Sequence, residues 1–243
     1  MENALLVGLS RQIALGRQMD VAANNLANMN TPGFKAEALL FEEYVSKIDG
    51  EKLDNGRLSF VLDSGVSRDV TNGAISATNA PLDVAIVGDG FFVVGGADAD
   101  RYTRNGHFGL DDLGRLVTRD GDPVLDQDGA EIILDLEGEE VSVSEDGVIS
   151  TSIGEVARLG VVEFEKPEDM RKVGGTLYET EEDPIEVDAP RIEQGALEMS
   201  NVAPILEMTR MIEVSRSYQS AGKLIETAGD LTRKAIEKLG RQK

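Results

Sequence analysis

Both ends of the chain show the hydrophobic spacing of long amphipathic helices. Between Asn3 and Asn28 there is no proline, and β-branched residues are few. Apolar side chains recur there at steps of three and four residues, which places them on one helical face. They are Leu5, Leu6, Leu9, Ile13, Met19, Ala23 and Leu26. Thr31-Pro32-Gly33 then ends the predicted helix, because the residue before proline avoids the helical conformation and Pro-Gly favours a turn.

A second helix is predicted from about Pro204 to about Leu239. Its apolar and small residues alternate at steps of three and four, which is typical of a coiled-coil seam. The seam positions are Met208, Met211, Ser215, Tyr218, Gly222, Ile225, Gly229, Thr232, Ile236 and Leu239. The two glycines lower helix propensity by about 1 kcal/mol each relative to alanine. We therefore expect neighbouring helices to approach closely at Gly222 and Gly229.

The central part of the chain, 36–199, has the spacing of short strands joined by tight turns. Asn-Gly and Asp-Gly pairs between apolar runs are strong hairpin signals. The predicted turns lie at Asn55-Gly56, Asn72-Gly73, Gly88-Asp89-Gly90, Asn105-Gly106, Asp120-Gly121, Asp128-Gly129, Glu137-Gly138 and Asp146-Gly147. The predicted strands lie at 82–87, 91–94, 115–118, 131–136, 141–143 and 159–164. These signals favour an antiparallel β domain.

Together these elements predict an α+β fold, in which an antiparallel β domain is inserted between long N- and C-terminal helices. We expect residues 1–35 and 200–243 to form a helical assembly domain with coiled-coil-like pairing. Residues 36–199 are expected to form the β domain, with 36–72 and 185–199 as junction regions. When the two terminal helices of one chain pair with each other, much of their apolar surface stays exposed. A large exposed apolar patch marks an interaction site. The pattern therefore indicates self-assembly.

Composition narrows the function. The chain has 243 residues, 41% of them hydrophobic, with a formal charge of −21, no cysteine, no tryptophan and one histidine, His107. The negative charge argues against binding to nucleic acid or anionic lipid. The absence of cysteine excludes disulfides, iron–sulfur clusters and thiol nucleophiles. Most of the acidity lies in the centre, between two nearly neutral ends.

Two candidate sites in the centre do not fit their templates. An EF-hand loop with Gly129 at its sixth position would need an oxygen ligand at position 124, where the chain has Val124. Gly88-Asp89-Gly90 is followed by a strand-like run instead of the helix that a nucleotide loop requires. We expect both to be hairpin turns. The sequence predicts no catalytic residues, no metal and no cofactor.

The opening segment MENALLVGLSRQ has no basic residues before its apolar stretch, which ends at Ser10. A secretory signal needs a charged start, a longer apolar run and a small-residue cleavage site. No apolar run approaches the roughly 18 residues of a membrane span. We expect no membrane insertion, and either a cytosolic protein or export without a cleaved peptide.

The end of the first helix carries an unusual cluster of asparagines. Asn24, Asn25, Asn28 and Asn30 fall within seven residues. Asparagine is unfavourable inside helices because its amide competes for backbone groups. The cluster therefore predicts side-chain amides bonded to neighbouring backbones or helices, the alternative being a frayed helix end.

The segment 22–35 resembles the signature of the bacterial flagellar axial family, which comprises rod, hook and hook-associated proteins. Further blocks resemble this family in the expected order, at 73–75, 78–86, 88–92, 102–108, 114–118, 195–202, 207–212 and 216–219. The resemblance covers nearly the whole chain. The length of the chain and its opening segment are most similar to those of a rod protein. A distal-rod or hook subunit is the alternative.

The resemblance implies a structural subunit of the basal-body rod, which transmits torque from motor to hook. It implies as partners copies of itself, other rod proteins and the flagellar type III export apparatus. The expected interface lies on the terminal helices, at Leu5, Leu9, Ile13, Met19, Ala23, Asn24, Asn25, Leu26, Asn28, Asn30, Met208, Met211, Tyr218, Gly222, Ile225, Gly229, Ile236 and Leu239. A remote alternative, a secreted acidic β-domain enzyme or binding protein, would need a preserved site in the centre.

Overall fold

The structure, a computed structural model, describes residues 2–47, 57–97, 99–134, 141–187 and 189–240. Both predicted helices are confirmed, α1 at Glu2–Ala27 and α2 at Pro204–Gly240. After α1 the Thr31 amide donates to the Asn28 carbonyl at 3.1 Å, which closes a turn. Proline at the first position of α2 costs no hydrogen bond, because an N–H at that position would have no acceptor within the helix.

Strands, most of them short, recur through the described part of the chain between the helices, and the pairings of the short strands are antiparallel. Their bounds are β1 Glu37–Lys47, β2 Arg57–Arg68, β3 Ile75–Ala77, β4 Val84–Ile86, β5 Phe91–Val94, β6 Arg101–Thr103, β7 Gly109–Leu110, β8 Leu116–Val117, β9 Ser142–Val143, β10 Val148–Thr151, β11 Gly154–Arg158, β12 Val161–Glu163, β13 Arg171–Gly174, β14 Leu177–Glu179, β15 Ile185–Glu186, β16 Ile192–Gln194 and β17 Ala196–Glu198. The α+β class and the mostly antiparallel β region are therefore confirmed.

Several predicted strands are shorter in the structure. The predicted segment 91–94 coincides with β5, whereas 82–87 and 159–164 shrink to β4 and β12. The predicted strand 131–136 is represented by isolated bridges at Glu131 and Ile133. Its last two residues, and the turns at Asn55-Gly56 and Glu137-Gly138, lie outside the described residues.

The chain divides into two compact units. The helical unit comprises Met1–Ala27, Glu37–Ser67 and Ala203–Lys243, and the β unit comprises Asn28–Ala36 and Arg68–Val202. In the helical unit, β1 and β2 pair as a two-stranded sheet, and β1 contacts α1. No helix in the described part of the chain is long and apolar enough to span a bilayer.

The largest sheet of the β unit has the strand order β13-β14-β6-β5-β12-β15. Strand β5 lies inside it, and its Phe92 pairs with Thr103 on β6. Phe92 belongs to one buried cluster with Phe108 and Ile149, whereas Phe91 and Val93 belong to a second cluster with Tyr178. Successive strand residues point to opposite faces, so β5 has a core on both faces. This explains why its sequence is an uninterrupted apolar run.

Acidic residues of the β unit hold its turns. Asp126 Oδ1 accepts bonds from the Asp128 and Ala130 amides at 2.9 and 2.8 Å, and Gly129 takes the positive φ of 80° that this turn requires. His107 Nδ1 lies 2.7 Å from Asp83 Oδ1. Among the described residues there is no group of three or more histidine, cysteine, aspartate or glutamate side chains that could hold a metal.

A buried ionic cluster joins distant parts of the β unit. Lys35 Nζ donates to Glu198 Oε1 at 2.7 Å and to the Thr71 carbonyl at 2.8 Å. The Gly73 amide donates to the same carboxylate oxygen at 2.8 Å, and Arg104 Nε lies 3.6 Å from Glu198 Oε2. All three charged side chains are buried. Burial lowers the pKa of the Lys35 ammonium and that of the Arg104 guanidinium, and the Glu198 carboxylate opposes both changes.

The cluster fixes the segment that follows α1. Next to Lys35, Phe34 is fully buried, and the Gly33 amide donates to the Glu198 carbonyl at 2.8 Å. A Cβ on Gly33, whose φ is +70°, would lie 2.3 Å from the Asn105 amide nitrogen. Only glycine fits this close approach.

We predict that Glu198→Gln destabilises the β unit by about 3 kcal/mol, because two buried cations lose the carboxylate that contacts both of them. Hydrogen exchange of the β5 amides in the full chain, measured by mass spectrometry, reports this loss. Glu193→Gln, at an exposed position on the neighbouring strand β16, is the matched control and should change stability by less than about 0.5 kcal/mol. Equal effects of the two substitutions would contradict the proposed role of the cluster.

Candidate assembly interface on the terminal helices

Helices α1 and α2 lie side by side in the helical unit. A Cβ placed on Gly8 would lie 3.0 Å from Ile225 Cγ1, and one placed on Gly16 would lie 4.0 Å from Tyr218 Cε2. Between them, a Cβ on Gly222 would lie 3.8 Å from Gln12 Nε2. Residue numbers rise along α1 as they fall along α2. The helices are therefore antiparallel.

The most deeply buried positions of α2 follow a heptad. Glu207, Val214 and Ala221 are each seven residues apart and buried, and Ala228 continues the series half-buried. Of the predicted seam residues, Met211, Gly222, Ile225 and Gly229 are half-buried and Tyr218 is just exposed, whereas Met208 is exposed.

The glycines show where the two helices of one chain are closest. Gly8 makes the tightest approach, since its added Cβ would press on Ile225. An added Cβ on Gly222 would make only ordinary contact, and one on Gly229 would meet no described atom within 4 Å. Within the described part of the chain, Gly222 thus contacts α1 less tightly than Gly8 contacts α2, and the approach of a helix from another subunit at Gly222 and Gly229 stays a prediction.

Pairing leaves an apolar stripe on α1 open to solvent. Leu6, Leu9 and Ile13 are 53%, 51% and 55% exposed, and their spacing places them on one face. On α2 a comparable set is exposed near the start of the helix, comprising Ile205, Leu206, Met208 and Ile212. Single exposed leucines are ordinary, but contiguous stripes mark interaction surfaces.

A groove of about 840 Å³ runs between α1 and α2. Its walls include Leu224 and Leu231, which are 69% and 57% exposed, and Val7 from α1. Arg11 and Arg216 add positive charge. The remaining lining residues are Gly8, Ser217, Ser220, Ala221, Ile225, Thr227 and Ala228. Leu224 and Leu231 lie outside the predicted interface, although their seven-residue spacing was a signal visible in the sequence.

The four asparagines have different surroundings. Asn25 is fully buried; its Nδ2 donates to the Glu37 carbonyl at 2.8 Å, and its Oδ1 accepts from the Glu37 amide at 3.0 Å. This amide bonds to a neighbouring backbone, as predicted, and ties α1 to the start of β1. Asn28 ends the helix through its bond from Thr31, and Asn24 and Asn30 are exposed.

The other predicted interface residues are also on the helices. Met19 and Leu26 are half-buried, whereas Ala23 is exposed. Leu5, Ile236 and Leu239 belong to α1 and α2, but their side chains lie outside the described part of the structure.

Three family models match successive parts of the chain. Residues 5–35 match the flagella basal body rod protein model, which covers most of α1 and the asparagine cluster. Residues 85–151 match the D1 domain of the flagellar hook protein FlgE/F/G, and residues 193–238 match the C-terminal model of the flagellar basal body rod FlgEFG proteins.

Curated relatives match along almost the entire chain. The flagellar basal-body rod protein FlgF of Caulobacter vibrioides is 42% identical over 244 residues, with 99% of both chains covered. FlgF of Salmonella typhimurium is 34% identical, with 95% of both chains covered. FlgG of Bacillus subtilis is 30% identical, with 97% of this chain and 98% of the relative covered.

These matches confirm the family resemblance seen in the sequence motifs, including its likeness to FlgF. The family consists of structural proteins, which removes the alternative of a secreted enzyme. The chain belongs to the flagellar basal-body rod and hook protein family.

Proposed function

We propose that the chain is a structural subunit of the flagellar basal-body rod and transmits torque from the motor to the hook. The observation that carries this proposal is the exposed apolar stripe on α1, next to a groove that the helix pair leaves open. A row of half-exposed leucine and isoleucine side chains on a monomer is typical of a surface that other subunits cover. The names of its relatives support a location in the basal body.

Packing of helices supplies the mechanism. Fully burying a leucine or isoleucine side chain contributes about 1.5–3 kcal/mol. Leu6, Leu9 and Ile13 are already half-buried, so their full burial adds about 1 kcal/mol each for every subunit contact. Many such contacts, repeated around a tube, resist twisting better than a few large anchors.

In this proposal 1–35 and 200–243 form the assembly domain and 36–199 forms the outer β domain, with junctions at 36–72 and 185–199. The compact units divide the first junction differently, since Asn28–Ala36 belongs to the β unit and Glu37–Ser67 to the helical unit. The helices pair in a coiled-coil-like manner with those of neighbouring subunits. The partners are copies of this chain and other rod proteins, reached after passage through the type III export apparatus. A distal-rod or hook subunit is the alternative, which the FlgG relatives keep open.

We predict that Leu9→Asp blocks rod growth without unfolding the protein. The side chain is half exposed in the monomer, so aspartate is tolerated there, but in the rod it would bury an unpaired carboxylate. Motility in soft agar and electron microscopy of purified basal bodies measure the effect.

The matched control is Ile153→Asp, which makes the same kind of change at a side chain 83% exposed in the β unit. This variant should remain motile. Motile cells carrying Leu9→Asp at normal protein levels would show that the α1 stripe is not an assembly surface.

We predict opposite effects of Gly222→Ala on the monomer and on the rod. Alanine should raise the stability of the helical unit by about 1 kcal/mol, because the added Cβ makes only ordinary contact within the chain. It should impair motility, because a neighbouring helix uses the space that glycine leaves. Thermal unfolding and soft-agar motility give the two readouts.

Glu237→Ala raises helix propensity at an exposed α2 position outside the seam, the groove and the exposed apolar set near the start of the helix, and it should leave motility unchanged. A fully motile Gly222→Ala strain would show that Gly222 is not part of the interface.

A further inference from the structure

The exposed stripe of α1 and the groove lie on opposite sides of the helix pair. Gly8, Gln12 and Gly16 face α2. Since successive residues turn by about 100° around a helix, Val7 and Arg11 lie to one side of that contact line, and Leu6, Leu9 and Ile13 lie to the other. The groove includes the first pair. A copy of the chain can therefore offer its stripe to one neighbour and its groove to another.

Beyond Ile13 the stripe is followed by two exposed charges, Arg17 and Asp20. Asp20 is exposed and lies seven residues beyond Ile13, which is itself seven residues beyond Leu6. These three positions share a face of α1, because seven residues make close to two full turns. Asp20 forms no ion pair within the described part of the chain. Along this line α1 thus presents Leu6, Ile13 and then a carboxylate, with Leu9 on one side of the line and Arg17 on the other.

The groove presents the complementary order on α2. Leu231, Leu224 and Arg216 line it in sequence. With a rise of 1.5 Å per residue, Leu224 lies about 10 Å and Arg216 about 22 Å along the axis from Leu231. On the stripe, Ile13 lies about 10 Å and Asp20 about 21 Å from Leu6. Arg216 has no ion-pair partner among the described residues.

We propose that the α1 stripe of a second copy of this chain docks in the groove, antiparallel to α2, with Leu6 against Leu231, Ile13 against Leu224 and Asp20 paired with Arg216. This inference rests on the proposed function and specifies its contact. The contact is heterologous, because stripe and groove are different surfaces. Repeating such a contact without closure builds a helical array instead of a closed dimer.

Disulfide trapping tests the register, and the natural chain has no cysteine to interfere. In cells, the double variants Ile13→Cys with Leu224→Cys, and Leu6→Cys with Leu231→Cys, should each give a ladder of cross-linked oligomers after oxidation. Each of the four substitutions made singly should give no cross-linked oligomers. The pair Leu6→Cys with Leu224→Cys is shifted by about 10 Å, beyond the Cα separation of 4.4–6.8 Å that a disulfide allows, and should also give none.

Charge reversal tests the ion pair. Asp20→Arg and Arg216→Asp should each reduce assembled protein in basal bodies by about tenfold or more, because the contact then places like charges together. Co-expressing the two variants should restore assembly, since each stripe then meets a groove of opposite charge. Arg233→Asp makes the same charge change at an exposed α2 position outside the groove and should assemble normally.

The outcomes distinguish a failure of this docking from a failure of the proposed function. Absence of the unaltered chain from purified basal bodies would overturn the proposed function. Its presence there, combined with cross-links in the shifted pair, with dimers from single cysteines or with no rescue on co-expression, would overturn this docking alone.

Discussion

The antiparallel packing of α1 on α2 is the interaction on which the helical unit depends. The contact is tightest where Gly8 meets Ile225, and apolar side chains on other faces of both helices stay exposed. Both helices carry more apolar positions than one partner can cover. The helix pair leaves two separate surfaces exposed, the stripe on one side and the groove on the other. The same packing that forms the unit therefore also shapes its two free surfaces.

Charge is used differently in the two units. In the β unit, acidic side chains accept backbone bonds in turns, as Asp126 does, and Glu198 neutralises buried cations. The acidity that first suggested a cation site is thereby accounted for by local structure. In the helical unit, the charges at Asp20 and Arg216 stay exposed beside apolar side chains, where they can select among partners.

Local patterns in the sequence predicted the local structure. The helix bounds, strand β5 and the Asp-Gly turns follow from spacing within a few residues, because backbone geometry imposes these periods. The pairing of Lys35 with Glu198 was not predictable, since 163 positions separate them and each taken alone resembles a surface charge. The groove was missed for a related reason: Leu224 and Leu231 lie beside the expected seam, and only the position of α1 makes them walls of a groove.

The helix pair also constrains the order of folding. Its two halves begin at Glu2 and Pro204, so a chain growing from its N-terminus completes α1 and the whole β region before the first turn of α2 exists. Contacts between such distant segments form late and slowly, because a long loop must close first. Most of the stability of a helix in a protein comes from packing of its amphipathic face, so α1 gains its main stabilising partner only after synthesis is almost complete. The groove, which is lined by both helices, cannot form before α2 does.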